Sequence, residues 1–290
     1  MEKEAEKEVT SEEIRPEVLN YDDIRKMVPR FDGHPKLVNW LLRFLDVDKV
    51  NAVHAKCCDT PGPEFVKRLL VDEFKIKLHV YDSHDTLDHL PEGAFITVSN
   101  HPLGALDGIA LIYLITRYRP EYKVMVNMIL NRISAMRPNF IAVDAWASDD
   151  PEKRAVSVAG IRTALRQLRE GKPVGFFPAG AMSKSTLRHG LQDRPWQPSV
   201  LQIIARAKVP VVPIYFHDRN SLWCDFLGHV CWPARSLRIP AEVFRKLHST
   251  MHISVGAPIS PEEMAAHGST PEEIGRFLRE RTYALKADRR

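Results

Sequence analysis

From residue 94 onward, short apolar runs alternate with segments of helical periodicity, and this alternation organises the chain. "AFITVSN", "KVMVNM", "NFIAVD", "PVGFFPAG", "PVVPIYF" and "TMHISVG" read as strands, each a compact apolar run bounded by turn-forming residues. Between them, "GIALIYLITRY" reads as a buried helix and "SVLQIIARAKV" as another, and a helical stretch carrying Ile133 and Met136 separates two of the strands. "PEKRAVSVAGIRTALRQLREG" is the clearest amphipathic helix, with Val158, Ile161, Leu165 and Leu168 on one side and Gly171 at a natural C-terminal stop. "TPEEIGRFLRERTYALK" adds a late helix with Thr270 as its cap and Pro271 at its first position. Strands interleaved with helices predict one α/β domain: a mostly parallel central sheet flanked by helices, preceded by an N-terminal helical extension.

In that extension, "HPKLVNWLLRFLDVDKV" places Leu37, Trp40, Leu41, Phe44 and Leu45 on one helical face. The plain expectation is a helix packed on the domain; the alternative is an interfacial helix that dips Trp40 and Phe44 into lipid. "PGPEFVKRLLVDEF" predicts a further helix opened by its prolines. Residues 1–30 form a charged segment, disordered or loosely helical, ahead of a domain spanning 31–290. Its predicted parts are helices over 35–75, an α/β core over 90–260 and closing helices over 260–286.

Composition narrows the function classes. The 290 residues are 44% hydrophobic and 27% charged, ordinary for a chain with a real core, and the formal net charge is only +4. No basic block or interleaved aromatic stripe points to nucleic acid. Cys57, Cys58, Cys224 and Cys231 lack both a stapling framework and a metal-ligand spacing, so reduced thiols and no metal are expected. No secretory h-region and no run of about 18 apolar residues occurs. The expected location is therefore cytoplasmic, with at most a peripheral hold on the inner face of a membrane.

The candidate chemistry lies in "TVSNHPLGALDGIAL". A strand ending at Ser99 delivers Asn100 and His101 to its carboxyl end, where open α/β sheets bind ligands. Asp107, six positions on, can return to the imidazole and fix its tautomer, and Gly104 permits a tight turn. His101 is thereby a candidate general base with Asp107 as its orienting carboxylate; a structural His–Asp pair is the competing reading. A second strand-to-turn, "GKPVGFFPAGAMSKS", brings Gly180, Ser183 and Lys184 to the same sheet edge, a set suited to a phosphate or carboxylate. "HVYDSHDTLDHL" gathers His79, His84, Asp85, Asp88 and His89 and raises a metal-dependent hydrolase as rival, although it reads as a polar loop ahead of a strand.

Four motifs in order resemble those of the glycerolipid and lysophospholipid acyltransferase family, most of all its bacterial hemolysin-like branch. Asn100, His101 and Asp107 match the Asn-His…Asp motif, and Phe177, Pro178 and Gly180, followed by Ser183, match Phe-Pro-x-Gly. "NFIAVD" at 139–144 and Val212-Pro213-Ile214 match the other two, and "YFHDRNS" is similar to a segment of that branch. The resemblance implies an acyltransferase domain over 31–290 with His101 and Asp107 catalytic. It implies that Asn100, Gly104, Phe177, Pro178, Gly180, Ser183, Lys184 and Arg219 bind substrate. The reaction implied is transfer of an acyl group from coenzyme A or acyl carrier protein to a lysophospholipid hydroxyl, the acceptor typified by 1-acylglycerol 3-phosphate. No cofactor is required beyond that acyl donor. Backbone N–H groups near Gly104 are candidate oxyanion donors, and Leu111, Ile112, Leu114 and Ile115 are either core or the wall of an acyl tunnel. Two departures stand out. Five residues rather than four separate His from Asp, and Ala179, Ala181 and Met182 replace the family's Glu and Thr-Arg. Head-group recognition then falls to Lys184, Arg188 or Arg219, or the acceptor carries a carboxylate, as an N-acylated amino-acid lipid does. A lipid-binding module without chemistry is the remaining alternative.

Overall fold

The computed structural model describes residues 14–144, 151–186 and 190–289. Nine strands lie among the described residues: β1 (Lys77–Tyr81), β2 (Ile96–Ser99), β3 (Lys123–Asn127), β4 (Phe140–Val143), β5 (Val174–Phe176), β6 (Lys184–Thr186), β7 (Gly190–Gln192), β8 (Val211–Phe216) and β9 (Thr250–Val255). Seven of them form one sheet in the order β1-β9-β8-β2-β5-β3-β4, and β6 and β7 make a separate antiparallel hairpin. Strands β8, β2, β5, β3 and β4 run parallel. The β9 strand is antiparallel to β8, and β1 is parallel to β9, so the last two strands are reversed. The mostly parallel sheet follows from the sequence: β2 and β8 are buried at every position, as strands covered on both faces must be.

Pro213 sits inside β8, a place where a missing N–H ordinarily breaks a ladder. Here Val211 N–H points toward the β9 side, bonding Ile259, so Pro213, two positions on, faces that same side. It falls between the Val211–Ile259 bridge and the Ile214–Val255 pair, where the ladder is already interrupted. The proline removes a donor that has no strand partner to meet.

Helix Ala105–Thr116 buries nine of its twelve residues, including Leu111, Ile112, Leu114 and Ile115, which sit deep in the main hydrophobic core. A helix apolar nearly all round belongs between other elements. A second cluster on the other side of the sheet joins Ile96, Val98 and Phe176 to Leu168, Trp196, Leu201, Ile204 and Leu278. The late helix Pro271–Ala284 begins at Thr270, whose hydroxyl accepts from the Glu273 N–H while the Glu273 carboxylate accepts from the Thr270 N–H.

At the centre of the sheet, Tyr122 is fully buried with its hydroxyl 2.5 Å from Thr97 Oγ1. A Cβ on Gly175 would lie 2.0 Å from that hydroxyl oxygen. Gly175→Ala should therefore overpack the sheet and cost about 1–3 kcal/mol. Denaturant unfolding checks this, and an unchanged midpoint would show that Tyr122 moves aside freely.

Helix Pro35–Phe44 departs from the expectation of a packed apolar face. It buries Val38 and Leu42, while Leu37, Trp40 and Phe44 are exposed. Trp40 and Phe44 stack on each other with centroids 5.5 Å apart. On the amphipathic helix Pro151–Arg169, Val158 is likewise exposed, whereas Leu168 of the same face is buried and Ile161 and Leu165 pack against the core. Part of the stretch expected to be a polar loop, including His79, is strand β1, and the stretch that follows is a turn in which Asp82 accepts from Thr86 and Leu87 N–H. Among the described residues, no helix is long and apolar enough to cross a membrane. None of their His, Cys, Asp and Glu side chains form a group of three able to hold a metal. All four cysteines are free thiols.

Candidate active site

The chain leaves β2 toward β3, returns through β5 and then crosses to β8, so β2 lies where connections switch sides. Its two neighbours, β5 and β8, end at the same edge. Such a switch point opens a crevice beyond the strand ends, and the loops after β2, β5 and β8 build the site there.

Asn100 is the clasp. Its side-chain amide donates to Phe216 O at 2.9 Å and its Oδ1 accepts from Phe216 N–H at 2.7 Å, tying the ends of β2 and β8 together. Both ends of the buried amide are engaged, so the structure gives Asn100 a positioning role where substrate contact was expected.

His101 follows, with its side chain 20% exposed, and its Nδ1 lies 3.1 Å from Oδ2 of the fully buried Asp107. The contact is close in distance but bent away from a linear hydrogen bond. The loop makes this approach possible because Gly104 adopts φ +80, a left-handed conformation that suits glycine. A Cβ on Gly104 would also meet Met182 Sδ at 2.8 Å. Asp107 opens helix Ala105–Thr116, where the helix dipole favours an anion. Its Oδ2 accepts from the N–H groups of Leu103 at 2.7 Å and Gly104 at 3.0 Å. Those two donors are consequently turned to the carboxylate rather than to an oxyanion. Burial pushes the Asp107 carboxyl above the ordinary carboxylate value, and the His101 ring and the two N–H groups pull it back.

Phe177, after β5, lies against the His101 ring with centroids 4.2 Å apart and planes at 31°. Pro178 and Gly180 shape the turn that follows. Gly180 N–H bonds Phe177 O, Gln197 N–H bonds Pro178 O, and Gly180 has φ +64. Ser183 N–H donates to His101 O at 2.8 Å, joining the second loop to the first.

The sequence reading missed Asp193, which holds this junction. Its Oδ1 accepts from His101 N–H at 3.2 Å and from the Ser183 hydroxyl at 2.5 Å. Its own N–H donates to the Tyr283 hydroxyl at 2.7 Å, and Arg279 Nη2 donates to its carbonyl at 3.0 Å. Burial pushes this carboxyl up as well, against the Ser183 and His101 bonds. "LQDRPW" carries no local signal of such a role; only the closure of the hairpin β6–β7 brings it to His101. The Ser183 hydroxyl, like the Asn100 amide, is thus spent on the protein.

Lys184 and Arg219 are each next in sequence to a residue that bonds the histidine loop. Lys184 follows Ser183, which bonds His101 O, while Arg219 precedes Asn220, whose amide donates to Pro102 O and Leu103 O at 3.3 and 3.4 Å. The Arg219 side chain is half-exposed and pairs with Asp225 at 2.9 Å. Arg188 lies outside the described residues.

A histidine whose Nδ1 is turned to a buried carboxylate at a strand end is an arrangement able to take a proton from a hydroxyl. The comparisons agree at the level of class: a family model described as Acyltransferase matches residues 25–289, and the chain belongs to that family. It is 26% identical over 269 residues to a lyso-glycine lipid O-acyltransferase of Bacteroides thetaiotaomicron, covering 90% of this chain and 92% of that protein. A lyso-glycine lipid O-acyltransferase of Phocaeicola vulgatus is 25% identical over 270 residues, covering 90% and 89%. The 1-acyl-sn-glycerophosphate acyltransferase PlsC of Thermotoga maritima superposes with a TM-score of 0.49 at 16% identity, covering 87% of this chain and 88% of that one.

Proposed function

We propose that this acyltransferase transfers a fatty acyl group from a thioester of coenzyme A or acyl carrier protein to the hydroxyl of a lysolipid. The observation that carries the reading is the 3.1 Å approach of Asp107 Oδ2 to His101 Nδ1. With Nδ1 turned to the carboxylate, Nε2 is the ring nitrogen left to take the acceptor's hydroxyl proton as its oxygen attacks the thioester carbonyl. Asp107 holds the ring and stabilises the imidazolium that forms. The carbonyl then reforms and expels the thiolate, which takes the proton back from the His101 imidazolium and leaves as the thiol, so the donor's own activation drives transfer without a covalent acyl-enzyme.

The acceptor favoured is a lysolipid with an N-acylated amino-acid head group, of the lyso-glycine type named for the two curated relatives. A side-chain feature supports it. Where the wider family places Thr-Arg, this chain has Ala181 and Met182, and Met182 lies against the Gly104 turn in the place of a cation. Lys184 and Arg219 remain as cations on the adjoining segments, and one carboxylate asks less of them than a phosphate monoester. The second reading, 1-acylglycerol 3-phosphate as acceptor, keeps the same base and the same cations. Action on such a lipid also implies a peripheral stay at the inner face of a membrane.

Purified protein incubated with long-chain acyl-coenzyme A or acyl carrier protein, and with each lysolipid in turn, tests both parts. Thiol release with O-acylation of the lyso-glycine lipid, at least about tenfold faster than that of 1-acylglycerol 3-phosphate, is expected. The reverse preference would move the assignment to the phosphate acceptor. Absence of transfer to any lysolipid from either donor would overturn the function.

A further inference from the structure

Helix Leu222–Val230 is built with its polarity reversed. Leu222, Trp223, Phe226 and Val230 are 74, 55, 54 and 67% exposed, while Cys224, Asp225 and Gly228 are buried. Positions 222, 226 and 230 fall in one stripe with Trp223 beside it, and the helix's only acid faces the protein. Underneath, Asp225 meets Arg219 at 2.9 Å and the buried Arg235 at 3.7 Å, and Glu242 accepts from both the N–H and the hydroxyl of Ser221. Gly228 lets the helix lie over Arg235, since a Cβ there would sit 2.9 Å from Arg235 Cδ. The charges therefore fasten the helix with its apolar side outward. Trp223 and Phe226 are stacked in the open, centroids 5.5 Å apart. Leu237, on the next helix, is exposed too. A water-facing helix shows the opposite arrangement, and an apolar stripe on a folded surface marks what it touches.

We propose that this face docks on the surface of a lipid bilayer, placing the site at the membrane; the proposal rests on the lysolipid reading given above. Three observations favour a bilayer over a protein. The helix begins beside the catalytic loop, because Asn220 bonds the carbonyls of Pro102 and Leu103, so an acceptor leaving the bilayer meets His101 without crossing water. The composition is interfacial: a tryptophan beside aliphatic residues, with the half-exposed Arg219 and the exposed Arg245 at the margins. The area is small. The four side chains expose roughly 500 Å², short of the ~800 Å² each partner buries in a stable protein pair.

Full-length protein and the double variant Trp223→Ser/Phe226→Ser are compared for sedimentation with vesicles of phosphatidylcholine and phosphatidylglycerol. Both are also assayed for acyl transfer to a short-chain lysolipid kept below its micelle concentration. The wild type should sediment with the vesicles and the variant should partition about tenfold less or weaker still, with transfer to the dissolved acceptor within about twofold. That retained activity, with an unchanged circular dichroism spectrum, separates docking from misfolding. A wild type that stays in the supernatant overturns the proposal, as does a variant that partitions equally. So does a variant that turns a dimer into a monomer in sedimentation velocity with vesicle binding unaltered. Vesicle binding without transfer to any acceptor would remove the enzymatic reading and leave the docking face standing; transfer without vesicle binding would do the opposite.

Discussion

Replacing His101 by alanine should lower the rate of acyl transfer by about a hundredfold to ten-thousandfold, the usual worth of a general base. At about 1.36 kcal/mol per tenfold, this is ~3–5 kcal/mol of transition-state stabilisation. Asp107→Asn falls close behind, because Asp107 Oδ2 is the point on which His101 Nδ1 and the N–H groups of Leu103 and Gly104 converge. Asparagine can keep the two backbone donors but loses the charge that stabilises an imidazolium. The double variant should be little slower than His101→Ala alone, since the two residues act as one unit. Steady-state rates of thiol release with a saturating thioester measure all three. A His101→Ala protein keeping more than about a tenth of the wild-type rate would exclude a histidine base of this kind. Stability carries a second signature. Burial raises the Asp107 carboxyl in the folded state, so folding favours its protonated form. The associated stability is fully present below the unfolded carboxylate value and is lost as pH rises through the folded one. Asp107→Asn has no such charge to bury, so its stability should decline less between acid and neutral pH.

The largest loss of stability is expected at Asn100→Ala. The alanine removes the side chain that answers both the N–H and the C=O of Phe216 across the ends of β2 and β8. Each buried backbone group left without a partner costs about 1–3 kcal/mol, and the pair about 2–6 kcal/mol. Against a total of roughly 5–15 kcal/mol, the change should be plain as a lower denaturation midpoint with an unaltered slope. Since His101 is the next residue, the folded fraction should also turn over more slowly. A midpoint equal to that of the wild type would mean that the two strand ends are held by something else.

The parts of the molecule legible in the sequence are those whose burial is one-sided or complete. Strands β2, β5 and β8 are apolar runs because both faces are covered, and helix Ala105–Thr116 is apolar because it lies inside. The approach of Asp107 to His101 was legible because a strand end, a glycine and a short return path stand in one stretch of sequence. Periodicity tells which residues share a face, but not which way that face looks. Leu37, Trp40 and Phe44 do share one, and it looks outward, with Val38 and Leu42 buried instead. The same ambiguity hid helix Leu222–Val230, whose apolar stripe is the outer one. Edge strand β1 escaped because it is half-exposed and runs into the polar turn after Tyr81. The reversal of β9 and the role of Asp193 depend on contacts between distant segments, which no local pattern records.

Asp193 follows His101 by 92 residues, and Tyr283 follows Asp193 by 90. The histidine loop is thus fastened by a residue that is itself fastened by helix Pro271–Ala284, through the Tyr283 hydroxyl and the Arg279 guanidinium. On the ribosome, the loop bearing His101 is made well before Asp193, the partner of its backbone N–H, and Asp193 is itself fastened only after Tyr283 has emerged. A nascent chain carrying the histidine, the aspartate and the sheet edge therefore still lacks the fastening of its histidine loop, which is complete only once helix Pro271–Ala284 has been made.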